Sequence, residues 1–310
     1  MLTRLNGMAL SLAKKRYLRR LAGYATNPAR QRLRTRLGRE QEYAIAGHPV
    51  VLPPEHNLPF YQRRDPTYDT YATAVLTTLA PEGRRTLVVD LGANVGDTAV
   101  TALMASDGID VVSVEGSPYF AGYCRRNVQA FGSRARVVEQ FVGPLGPDSA
   151  VFSSTGTTGG FQSGSAGDES TRVEQWVTPR DLLADAARYD RVIFKSDIDG
   201  YDIHLLVQHW TDIDPAADVL WFEFDPAGTL GDHTDIDTLA ALVGGSGRGI
   251  AVYDNLGRQM LAVGPGPEVE RALAALARWL VTIRQGHMSV PYLDVWAVPD
   301  EDLQRIRALG

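Results

Sequence analysis

From Tyr71 onward the apolar positions follow two alternating rhythms. "TYATAVLTTLA" spaces its apolar residues as a helix does, and "TLVVDLGAN" follows as a short, nearly continuous apolar run that reads as a buried strand. The pairing then repeats along the chain. Helix "GDTAVTALMAS" precedes strand "DVVSVEGS", "YFAGYCRRNVQAF" precedes "ARVVEQFVG", and "RDLLADAARY" precedes "DRVIFKSDIDG". "YDIHLLVQHW" leads into "ADVLWFEFDP", "DIDTLAALVGGS" into "GIAVYDNLGRQML", and "EVERALAALARWLVTIRQ" into "DVWAVP". Strands alternating with helices predict an α/β, Rossmann-like fold, with a mainly parallel sheet of seven strands and helices on both faces.

The chain before Tyr71 has a different pattern. "AIAGHPVVLPPEHNLPFYQRRDPTYDTY" mixes short apolar runs with five prolines and reads as extended and turn-rich. Upstream, residues 1–40 hold eleven Lys and Arg against the single acid Glu40, with Leu2, Leu5, Ala9 and Leu12 at helical spacing. The expected division is therefore a basic helical arm and lead-in over 1–64, then one domain over 65–310. A basic amphipathic arm suits an anionic membrane surface or an acidic partner; packing on the domain or on a second copy of the chain, with its cations solvated, is the plainer reading and the preferred one. "SSTGTTGGFQSGSAGDEST", residues 153–171, reads as a lid beside the site or as a surface insertion.

Charge and composition narrow the function. The formal net charge is -6 over 310 residues, so the chain beyond the basic arm is acidic, which argues against a nucleic-acid-binding core. The single cysteine, Cys124, excludes an internal disulfide and suits a reducing compartment. No apolar run approaches the ~20 residues of a membrane span. A cytoplasmic location is expected, with the arm as the place for any peripheral membrane contact.

"VVDLGANVGDTAV", residues 88–100, places a glycine turn between strand and helix, the layout of a nucleotide-binding loop. A dinucleotide fingerprint requires glycine where Asn94 stands. Asp90 at the strand tip and Asp97 in the first helical turn would also repel a pyrophosphate, by up to ~4 kcal/mol per charge pair at 4 Å. S-adenosylmethionine carries no phosphate, and its ammonium and sulfonium suit these acids. Glu115, ending the second strand, is placed to accept hydrogen bonds from ribose hydroxyls. Asp90, Gly92, Asn94, Gly96, Asp97 and Glu115 thus form a candidate site for S-adenosyl-L-methionine. An NAD(P)-dependent oxidoreductase and a non-catalytic nucleotide-binding module are the competing readings.

"VVDLGANVGDTAV", "FKSDIDGYDIHLL", "WFEFDP" and "DVWAVP", in that order, resemble the FkbM-type methyltransferases, as do "YDTY" and "LPPEHNLPFY" in the lead-in. The likeness spans about residue 68 to the end and leaves the basic arm outside. It implies a class I methyltransferase fold, with the methionine end of the cofactor near Asp90, Gly92, Asn94 and Gly96 and the ribose on Glu115. Glu139, Gln140 and Phe141 would then lie beside the adenine. It further implies O-methylation of a sugar, polysaccharide or natural-product intermediate. The chain departs from the common pattern at Asp199, where Glu is frequent, at Ser196, and in "WVTPRDLL", where Asp181 is placed to fill the usual acidic position.

Methyl transfer to an alcohol needs in-line alignment and a base for the hydroxyl proton. Asp197 on the fourth strand is the leading candidate, followed by Asp199, by Asp225 from the fifth strand, and by His233 in the loop beyond it. These acids, with Glu223, also have the oxygen chemistry of an Mg²⁺ site. Helix capping is the alternative for Asp199 and Asp202. Lys195 reads as a bridge between acids, and His56 as a residue bordering the acceptor pocket.

Overall fold

The computed structural model describes residues 33–68, 70–143, 151–155, 158–162, 171–172, 176–284 and 290–309. Most of the basic arm, residues 1–32, lies outside these; residues 33–37 are helical. The lead-in is not merely extended. It forms an antiparallel hairpin of β1 (Gln41–Ile45) and β2 (His48–Leu52), then helix α1 (Leu58–Arg64). Pro59 sits in the first turn of α1, where a missing N–H leaves no hydrogen bond unmade.

The alternating pattern then builds the domain. Its strands are β3 (Thr86–Leu91), β4 (Ile109–Val114), β5 (Ala135–Val138), β6 (Arg191–Ser196), β7 (Val219–Phe224), β8 (Gly249–Asp254), β9 (Gln259–Val263) and β10 (Leu293–Val298). Its longer helices are α2 (Tyr71–Leu79), α3 (Asp97–Ala105), α4 (Pro118–Val128), α5 (Asp202–Gln208), α6 (Thr234–Gly245), α7 (Pro267–Arg284) and α8 (Asp300–Arg307). Across the sheet the order is β9-β8-β10-β7-β6-β3-β4-β5. The pairs from β7 through β6, β3 and β4 to β5 are parallel, whereas β10 runs antiparallel to β7 and β8.

Period-two alternation divides the core between the two faces. Leu87, Val89 and Leu91 of β3 join Leu206, Leu239 and Leu273 from α5, α6 and α7. Val88 instead joins Leu76, Val100, Phe120 and Ile306 from α2, α3, α4 and α8. Ile45, Val50, Leu52 and Leu58 belong to this second cluster, so the hairpin and α1 pack onto the domain itself.

The sheet has eight strands rather than seven. "GIAVYDNLGRQML" breaks into a hairpin because Asp254 Oδ1 accepts from the backbone N–H of Leu256 (3.0 Å) and Arg258 (2.9 Å), and Gly257 takes a positive φ of 76°. "ARVVEQFVG" also divides: Phe141–Val142 leaves the main sheet and pairs with Trp176–Val177. In and beside the Ser/Thr/Gly stretch, residues 151–155, 158–162 and 171–172 form a small antiparallel sheet. Its remaining residues, and with them the lid expectation, lie outside the described chain.

Candidate active site

Strand order reverses between β3 and β6, and the crevice beyond the carboxyl ends of such strands is where open α/β sheets bind ligands. The chain leaves β3 through Gly92 (φ 73°), Asn94 (φ 49°) and Gly96 (φ 82°). A Cβ on Gly92 would stand 1.7 Å from the carbonyl oxygen of Asp197, so only glycine lets the β3 and β6 exits approach this closely. The N–H groups of Gly92 and Ala93 both donate to Val114 O at 3.0 Å, tying the loop to β4.

Glu115 fixes the next turn. Its carboxylate accepts from Asn94 N–H and Ser117 N–H, each at 2.8 Å. Burial pushes Glu115 up to about 7 against the pull of these two amides. Beside it Gly116 gives way to Phe141, whose ring would lie 2.2 Å from a Cβ at that position.

One sheet face carries a continuous lateral row. Asp90, Lys195, Trp221 and Trp296 are direct register partners on β3, β6, β7 and β10. Lys195 Nζ lies 3.0 Å from Asp90 Oδ1 and 3.2 Å from Asp197 Oδ2, and 5.4 Å from the Trp221 ring centre. Trp221 stacks on Trp296 at 4.1 Å. Burial works against the charge of Lys195, but Asp197, Asp90 and Asp97 outweigh it and hold the ammonium above the usual lysine range. Lys195 is therefore the bridge between acids that its position suggested.

The "DIDGYD" turn is shaped by Asp202. Its Oδ1 accepts from Ser196 Oγ at 2.5 Å and from Ile198 N–H at 3.0 Å. The turn brings Asp197 to the crevice with its side chain 45% exposed, and sets Asp199 at φ 49°. Burial, then the neighbouring Asp197 and Asp202, raise Asp199 to about 7.

Two cavities open here. A narrow one of about 60 Å³ is lined by Glu115, Gly116, Phe120, Gln140 and Phe141. A larger one of about 400 Å³ is lined by Asp97, Lys195, Trp221, Glu223 and Asp294 from the domain, and by His56, Tyr61, Gln62 and Arg64 from the lead-in. Gly92, Asn94, Asp197 and Asp199 line both. The lead-in is held in place by two amides. Gln41 Nε2 donates to the carbonyls of Pro53, Pro54 and His56. Asn127 donates to Val51 O and Val95 O and accepts from Val51 N–H, joining β2 to the glycine loop. Burial lowers His56 to about 4, so its imidazole is neutral where it meets Asn94.

The sequence candidates distribute unevenly. Asp97, Glu115, Gln140, Phe141, Asp197 and Asp199 converge on the cavities with Gly92 and Asn94. Asp90 lies beneath them, fully buried on Lys195, and Gly96 packs against Cys124. Asp225 and His233 line neither cavity: Asp225 accepts from Gly228 N–H at 2.8 Å, and His233 is exposed before α6. Asp181 forms a capping box with Thr178 on the surface. Tyr71, Gln62, Asn127 and Asp294 were not singled out from the sequence. Among the described residues no three His, Cys, Asp or Glu are grouped to hold a metal ion.

No family model matches the chain, and no curated protein matches it by sequence. Solved structures of similar fold include a precorrin-6y C5,15-methyltransferase from Geobacter metallireducens, 14% identical over 73% of this chain and 87% of that one, with a TM-score of 0.37. An O-methyltransferase from Bacillus cereus in complex with SAH (S-adenosylhomocysteine) is 11% identical over 74% and 80%, at 0.39. A SAM-dependent methyltransferase from Agrobacterium tumefaciens is 11% identical over 84% and 71%, at 0.40. Such likeness concerns the fold alone. The parallel core centred on β3 and β6, with the antiparallel β10 inserted between β7 and β8, gives the class I methyltransferase fold expected from the sequence.

Proposed function

We propose that the protein is an S-adenosylmethionine-dependent O-methyltransferase of FkbM type that acts on a hydroxyl of a sugar, polysaccharide or natural-product intermediate. The observation that carries this reading is the meeting of two cavities at Gly92, Asn94, Asp197 and Asp199. A narrow nucleoside pocket and a larger polar chamber sharing one junction suit a two-substrate transfer. The motif resemblance supports the hydroxyl acceptor.

The residues fit the cofactor. Glu115 retains lone pairs for two ribose hydroxyls after accepting from two amides. Phe141 and Gln140 flank the adenine end, and the Gly92 turn leaves backbone room where a side chain would intrude. Asp97 faces the larger cavity and suits the methionine ammonium. When bound, the cofactor supplies a methyl group that an acceptor oxygen displaces from sulfur, leaving a neutral thioether. Asp197 stands at the junction to take the hydroxyl proton, with Lys195 donating to it and fixing its direction. Proton removal by such a positioned group contributes about 10²–10⁴-fold in rate.

Calorimetric titration of S-adenosylhomocysteine, with NADH in a parallel cell, tests the reading. Micromolar binding of the nucleoside, lost in Phe141→Ala, is the expected result. NADH binding with no response to S-adenosylhomocysteine overturns it in favour of the oxidoreductase.

A further inference from the structure

At the far end of the larger cavity, Glu223 of β7 and Asp294 of β10 are direct antiparallel partners and line the same wall. Like charges in that register repel each other and destabilise a sheet. Asp294 has help, accepting hydrogen bonds from the side chains of Tyr71 and Trp221. Glu223 has none. Among the described residues it makes no hydrogen bond or ion pair, and its principal charged neighbours are Asp197, Asp202, Asp199 and Asp294. Burial and these acids raise Glu223 well above the ordinary carboxylate range.

The cations lining the cavity are engaged elsewhere. Lys195 lies between Asp90 and Asp197, and Arg64 pairs with Asp65 at 2.5 Å. The cofactor does not answer Glu223 either. Two strand spacings separate β7 from β3, about 10 Å, so a methionine ammonium held at the glycine loop lies well away from it. Nor do Glu223 and Asp294 belong to a group of three metal-ligating side chains among the described residues. What remains is an open carboxylate in a chamber large enough for a small organic molecule.

We propose that the methyl acceptor carries an ammonium group besides its hydroxyl, as an amino sugar does, and that Glu223 beside Asp294 binds this ammonium. The inference rests on the methyltransferase reading of the same site. Anchoring the cation at β7 and β10 leaves the other end of a sugar-sized ring facing Asp197, so the charge selects the molecule and sets which hydroxyl reacts.

The test uses protein saturated with S-adenosylhomocysteine and titrated with glucosamine, N-acetylglucosamine and glucose. The three share a ring, and only the first carries a positive charge. Glucosamine is expected to bind at least about tenfold more tightly than the other two, the scale of a charge-assisted hydrogen bond. Glu223→Gln is expected to abolish the preference, keep the affinity for S-adenosylhomocysteine, and melt no lower than the parent at pH 8. Equal or absent binding of all three sugars to protein that binds S-adenosylhomocysteine overturns the proposal, as does a variant that unfolds or keeps the preference. Protein that fails to bind S-adenosylhomocysteine instead removes the methyltransferase reading on which the proposal stands.

Discussion

Asp90 and Glu223 are acids on the same sheet face, two strands apart, and their surroundings are opposite. Asp90 is fully buried with Lys195 Nζ at 3.0 Å, and the same ammonium reaches Asp197. Glu223 faces a cavity among other acids. The first carboxylate meets the protein's own ammonium and serves to fix the crevice floor, although burial still raises its pKa. The second is left open, at a cost to stability that a bound cation would remove. A charge answered from within shapes the site, and a charge left unanswered marks where a ligand belongs.

The contrast can be broken most severely at Lys195. Lys195→Met leaves Asp90 without its partner in the core, and removing one partner of a buried pair costs about 3–5 kcal/mol. Urea denaturation should show that loss, and Asp90→Asn added to Lys195→Met should recover most of it. A single variant as stable as the parent would mean that the pair does not hold the floor.

The glycine turn comes next in expected effect. Gly92→Ala forces a Cβ onto Asp197 O at a positive φ, and strain of this kind costs on the order of 1–3 kcal/mol. Its affinity for S-adenosylhomocysteine should fall steeply. Gly122→Ala is the control: it lies in α4 with nothing within 4 Å, and should gain about 0.4–1 kcal/mol with binding unchanged.

Acidity sharpens the comparison further. Glu115 stands at about 7 in the free protein, and ribose hydroxyls favour its ionised form. Binding of S-adenosylhomocysteine should release protons near neutrality and weaken by up to about tenfold from pH 8 to pH 6, one pKa unit being worth about 1.4 kcal/mol. Calorimetry in two buffers of different ionisation enthalpy reads both effects. No proton release would place the ribose away from Glu115.

The smallest expected change is Glu223→Gln. Because folding raises the Glu223 pKa, its contribution is intact below the unfolded value near 4.5 and is lost as pH rises toward the folded one. The glutamine variant escapes that loss. It should melt higher than the parent at pH 8, with no gain at pH 4. A lower melting temperature at pH 8 would mean that Glu223 has a partner of its own.

Much of this architecture was legible because burial leaves a regular trace. β3, β6 and β8 bury every side chain and read as apolar runs, and the loop from Gly92 to Gly96 announced itself through residues that a positive φ demands. What the pattern missed depends on long-range partners. The break at Asp254 is set by one side chain folding back on two amides. Asn127 looks like any polar helix residue until its partners 76 and 32 positions away are known. Asp225 shared the strand-end position of Asp197, yet it turns to cap Gly228. Position in a strand tells which residues reach the crevice edge, but not which way the following turn points them.

Gln41 and Asn127 together pin a segment that precedes the sheet against the chamber the sheet leaves open. On the proposed reading, the methyl donor is gripped by the domain's own loops, while a substantial share of the acceptor's surroundings comes from chain that precedes the first parallel strand. Acceptor recognition is thus divided between two stretches of sequence, the lead-in that walls the chamber and the strands that carry Glu223 and Asp294. Redrafting the lead-in alone would therefore reshape the chamber while keeping the charge that Glu223 and Asp294 present to it.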